Sequence, residues 1–101
     1  MLLDVLRQYE LPMPVRNYVV KVNGIPVAEL DLAYPDNLVD LEADGARWHT
    51  TRRQRQRDAE RQAVVTALGW DVERFDYQTV VDQPETVATR VRAVLFGSSA
   101  A

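Results

Sequence analysis

The order of regular elements between Val15 and Tyr77 restricts the fold most. Three β-like runs come first, then one long helical stretch, then a fourth β-like run. "VRNYVVKVNGIPVAELDLAYPD" breaks at Asn23-Gly24, a strong hairpin signal. "YPDN" marks a second turn, and "LVDLEAD" is the third run, ended by Gly45. Strands joined by tight turns pair antiparallel. A strand that follows a helix implies instead a right-handed crossover and a parallel pair. The chain is therefore predicted to form a mixed α/β (α+β) sheet.

Helices complete the pattern. Leu2, Leu3, Val5 and Leu6 have helical spacing, stopped near Glu10 by "LPMP". A long helix is expected from about Thr51 to Leu68, with Thr50 or Thr51 as its cap, Ala59, Ala63, Val64 and Ala67 as its apolar face, and Gly69 as its stop. "WDVERFDY" reads as the fourth strand. "VDQPETVATRVRAVLF" reads as a last helix with Pro84 at its first position and Val87, Val91, Val94 and Leu95 as its stripe. The predicted order is α-β-β-β-α-β-α, a sheet flanked by helices. It forms one domain over residues 1–96, with a flexible tail at 97–101.

The 101 residues are 47% hydrophobic, which suits a globular core and not a disordered tail. No run of about 18 apolar residues spans a membrane, and the N-terminal residues do not resemble a secretory signal. Cytoplasm is the expected location. With no cysteine, disulfides and the usual structural zinc sites are excluded. The net charge of −3 hides an asymmetry. Six of the arginines fall between Ala46 and Arg61 beside only two acids, which leaves the rest of the chain strongly acidic.

Within the third strand, Asp40, Glu42 and Asp44 alternate with Val39, Leu41 and Ala43 and so share a face. The turn at "YPDN" brings Asp31 of the preceding strand near Glu42. Two carboxylates from adjacent strands, with the backbone carbonyl of Ala43, make a hard oxygen site of the kind magnesium or manganese takes. The plainer explanation is the solvated side of an edge strand.

His49 is the only histidine. In a loop beyond these acids, it could exchange a proton near neutral pH. Arg47, Arg52, Arg53, Arg55, Arg57 and Arg61 form the candidate DNA-contacting set. Arg53, Arg57 and Arg61 align at four-residue steps, as a phosphate-tracking patch or as a solvated face paired with Asp58 and Glu60.

"LDLAYPDNLVDLEADGARWH" and "RQRDAERQAVVTALGWDVERFDY" together resemble the very-short-patch mismatch-repair endonuclease and its bacterial relatives in domain-of-unknown-function family 559. These belong to the PD-(D/E)XK restriction-endonuclease-like superfamily. The resemblance runs from about Leu11 to Leu95. It implies that Asp31 is the first catalytic aspartate and a magnesium ligand, that Glu42 is the acid of the (D/E)XK element, and that the Ala43 carbonyl is a further ligand. Asp44 falls where the superfamily often has lysine, and His49 matches a histidine that assists hydrolysis. A glutamate-bearing helix of the relatives aligns just ahead of Met1, and neither Asp4 nor Glu10 falls at its place. The resemblance implies a metal-dependent DNA endonuclease or nickase using Mg2+ or Mn2+, with no structural zinc. The alternative is a catalytically inactive nuclease-fold module for DNA binding or interaction, as a piece of a longer protein. Cutting both strands with so small a chain would most simply use a homodimer.

Overall fold

The computed structural model describes residues 1–44 and 51–97. Its elements are α1 (Leu2–Gln8), β1 (Val15–Val22), β2 (Ile25–Tyr34), β3 (Val39–Asp44), α2 (Arg52–Ala67), β4 (Asp71–Asp76), α3 (Tyr77–Asp82) and α4 (Pro84–Phe96). The four strands form one sheet in the order β1-β2-β3-β4. The first three pair antiparallel, and β3 pairs with β4 in parallel across α2. This is the predicted mixed sheet. One element differs. The run before Pro84 closes into the short helix α3, with Asp76 as its cap accepting from the Gln78 backbone N–H at 2.8 Å.

Local chemistry sets the joints. Asn23 and Gly24 both hold positive φ, 54° and 82°, as a two-residue turn between right-twisted strands requires. Thr51 and Gln54 form a reciprocal capping box at the start of α2, with bonds of 2.9 and 3.0 Å. Gly69 stops that helix at φ 97°. Pro84 opens α4 after Gln83.

The sheet is covered unequally. On one face α1, α3 and α4 bury Leu6, Val80, Val87, Val91 and Leu95 against Val39, Leu41 and Phe75. On the other, Val65 of α2 packs with Val20, Leu30, Ala33 and Trp70. The expected apolar face of α2 is not used: Ala59, Ala63, Val64 and Ala67 are exposed, and Val65 is the buried residue of the helix. Alanine gains little from burial, so one well-placed valine decides which face turns inward.

β2 changes face part-way along. Leu30 and Ala33 both pack on the α2 side, whereas Leu32 and Tyr34 join the opposite cluster. A strict period of two cannot place residues three apart on one face, so the alternation slips by one residue around Asp31. Asn17, which continues the β1–β2 register opposite Asp31, has φ 53°. The distortion sits at the position that matters for the site.

Candidate active site

β3 is an interior strand, between β2 and β4. That overturns the solvated-edge explanation for its acids. Val39, Asp40 and Leu41 are all buried, Glu42 is half-buried, and exposure begins only at Ala43 and Asp44. The acidic face therefore runs from core to solvent.

Glu42 is the centre of the cluster. Arg74 of β4 lies opposite it in the parallel register and donates from Nη2 to Oε1 at 2.8 Å. Arg61, reaching down from α2, places Nη2 at 3.1 Å from Oε2 and 3.3 Å from Oε1. The other Arg61 terminal nitrogen donates to the Glu29 carbonyl of β2 at 3.3 Å. Three elements thus converge on one carboxylate, whose side chain is 13% exposed against 30% and 38% for Arg61 and Arg74.

Below Glu42 lies Asp40, with no exposed surface. Among the described residues, neither of its oxygens has a hydrogen-bond partner. A buried carboxylate without donors is costly, and protonation resolves the problem, because a neutral Asp40 can itself donate to Glu42. Its pKa is pushed up to about 8, by burial first, then by that bond and the Glu42 charge, with Asp31 adding to the rise and Arg61 opposing it. Burial would raise Glu42 as well. The bond from Asp40 and the guanidiniums of Arg61 and Arg74 outweigh it and hold Glu42 below the ordinary glutamate value.

Asp31 is exposed on β2. The β2–β3 register runs Tyr34↔Val39, Ala33↔Asp40, Leu32↔Leu41, so the next position sets Asp31 opposite Glu42. Leu32↔Leu41 is the last pair of the ladder. The register thus places Asp31 and Glu42 at neighbouring positions of adjacent strands. Asp44 stands at the exposed end of β3, in register with Asp76. Arg52, Arg53, Arg55 and Arg57 are exposed along α2, and Arg61 turns down to Glu42. Arg47 and His49 lie outside the described residues.

The donor chemistry fits a hard divalent cation. Magnesium commonly takes one or two carboxylates and keeps several waters; Asp31, Glu42 and the Ala43 carbonyl are the groups that would hold it. Among the described residues, no three acid or histidine side chains form a ready-made cage. Glu42 is already engaged by two cations. Sequence reasoning missed Arg74, and it put Asp40 on the acidic face without giving it a role. Arg74 shares a strand face with Val72, but the parallel register that sets it beside Glu42 is not encoded in any turn.

A mixed four-stranded sheet flanked by helices is the architecture of a restriction-endonuclease-like domain. The chain belongs to the restriction-endonuclease-like family REase_MTES_1575, whose model matches residues 15–95. It is also similar to two curated proteins of Mycobacterium tuberculosis, the uncharacterized protein MT2308 of strain CDC 1551 / Oshkosh and the uncharacterized protein Rv2248 of strain H37Rv. Each is 28% identical over 87 residues, covering 86% of this chain and 32% of the relative. The chain thus spans about a third of the length of these relatives. No solved structure matches it. Among the described residues, no helix is long and apolar enough to cross a membrane.

Proposed function

We propose that this domain is a metal-dependent endonuclease or nickase that hydrolyses phosphodiester bonds in DNA, akin to the very-short-patch-repair type. The observation that carries the reading is Glu42 on an interior strand, held by two guanidiniums and next in register to Asp31, in a chain of a restriction-endonuclease-like family. Asp31, Glu42 and the Ala43 carbonyl would hold Mg2+ or Mn2+. The chemistry that the cation supplies when bound is polarisation of the scissile phosphate and a lower pKa for the attacking water. Asp44, at the exposed end of the same face, would orient that water. Arg61 and Arg74 would hold a phosphate oxygen by charge-assisted hydrogen bonds. Arg47, Arg52, Arg53, Arg55 and Arg57 would follow the backbone of the duplex. His49 would serve as general acid or base.

The test is cleavage of supercoiled plasmid and of mismatched duplexes with magnesium or manganese. Wild-type protein should nick or linearise DNA, and Asp31→Ala should lower the rate on the order of a hundredfold or more, the scale of losing one transition-state charge stabiliser. Equal inactivity of both proteins on every substrate would refute catalysis. Salt-sensitive, metal-independent duplex binding would then point to a non-enzymatic DNA-binding module.

A further inference from the structure

Glu42 has two competing roles. The metal-dependent reading needs its carboxylate as a ligand, yet Arg74 at 2.8 Å and Arg61 at 3.1 Å already occupy both of its oxygens. Arginine cannot give up its proton to make room. A divalent cation approaching Glu42 therefore meets two fixed positive charges. Arg74 is anchored on β4 in register with Glu42, and Arg61 is tied to the Glu29 carbonyl. Both remain about one-third exposed, so an anion from solvent can reach them while Glu42 stays beneath. The anion whose geometry matches a planar guanidinium fork, and which the proposed substrate supplies at every step, is a phosphodiester.

We propose that Arg61 and Arg74 form a latch on Glu42 which a DNA phosphate opens, so that the duplex and the divalent cation bind this site cooperatively. This deepens the metal-dependent reading and rests on it. The phosphate draws the guanidiniums from Glu42 and neutralises them. The freed carboxylate then accepts the cation. The converse follows by linkage: a cation on Glu42 releases the arginines for phosphate, and the two ligands raise each other's affinity by the same factor. Without DNA, the carboxylate stays engaged by the arginines and the cation is held weakly.

Calorimetric titration of Mg2+ into the protein alone, and into its complex with a short phosphorothioate-linked duplex, measures that factor directly. Wild-type protein should bind Mg2+ about tenfold more tightly in the complex, within the usual range for coupled sites. Arg74→Gln and Arg61→Gln should each bind Mg2+ alone several-fold more tightly than wild type and lose most of the coupling. The same titrations of the variants correct for Mg2+ taken up by the duplex. Arg53→Gln, on the same helix, should weaken duplex binding but keep the coupling factor. Thermal melting of each variant confirms that it is folded, and the two latch variants give independent readings. Mg2+ binding with equal affinity in the presence and absence of duplex overturns the latch and leaves the metal-dependent reading standing. Tighter binding in the complex that persists unchanged in both glutamine variants also overturns it. No Mg2+ binding to wild-type protein under either condition overturns both proposals.

Discussion

Asp40 shows how one buried carboxyl can govern the pH response of the fold. In the unfolded chain it loses its proton near an ordinary aspartate value of about 4, whereas in the folded chain it keeps the proton up to about 8. Between those limits the folded state binds the extra proton. Stability therefore falls as pH rises through this window and levels off above it. Asp40→Asn keeps a donor toward Glu42 but cannot titrate. In metal-free protein it should be the more stable form at roughly pH 8, by on the order of 2 kcal/mol, and its stability should vary less with pH. Urea melts at several pH values give the answer as a difference between the two proteins, which cancels Glu73, a group that burial and Asp71 also push upward. Parallel pH profiles for the two would contradict the assignment. The sequence reveals that Asp40 and Glu42 share a face, because strand alternation demands it. It does not reveal that the face is covered at Asp40 and open at Asp44, since coverage depends on where a helix lands. The antiparallel register of β2 and β3 was legible because a tight turn fixes it. Arg74 was not, because the helix between β3 and β4 leaves that register undetermined.

Helix α2 has little support from the core for its length. Its first turn carries arginine and no acid, so charge and macrodipole oppose each other there. Val65 is its buried residue and Arg61 its polar tether to the sheet. The reciprocal bonds between Thr51 and Gln54 offset part of this deficit by satisfying two backbone donors at the N-terminus. Thr51→Ala should cost about 1 kcal/mol. For a domain of this size that is a fall of roughly 4–8 °C in melting temperature. Hydrogen exchange should locate the loss in the first turns of α2, with the β-strand amides unaffected beyond the global change. An unchanged melting temperature would mean that the cap is immaterial. The bounds of this helix were readable from the threonine and glycine at its ends, because caps are local chemistry. Its inward face was not, because an alanine-rich stripe offers so little burial that packing elsewhere decides the rotation. The short helix α3 was missed for a related reason: "YQTVVD" carries less than two turns of pattern, and its capping residue, Asp76, also reads as the end of a strand.

Across the whole molecule, charge is segregated by architecture. The chain is net acidic, yet its arginines concentrate on one exposed helix of 16 residues that covers one face of the sheet. Such a helix is roughly 24 Å long, about seven base-pair steps of duplex at 3.4 Å each. The acids at Glu42 and Asp31 lie where Arg61 reaches down from that helix to the sheet, so a duplex following α2 would pass over the site. This arrangement predicts which part of the affinity is electrostatic. Arg53 and Arg57 are exposed on α2 and are not among the Glu42 partners. Their joint replacement by alanine should therefore weaken duplex binding without touching the acid cluster. Removing one phosphate-binding arginine flattens the slope of log affinity against log salt by about 1, so the double variant should be flatter by about 2. Its deficit should be largest at low salt and equal for duplexes of different sequence, since bonds to phosphate carry no sequence information. Fluorescence anisotropy over a salt series, without divalent cation, measures both quantities. A double variant with wild-type affinity and an unchanged slope would remove α2 from the interface. A deficit confined to one duplex sequence would instead mean that these arginines read bases, and the helix would then lie in a groove and not along the backbone.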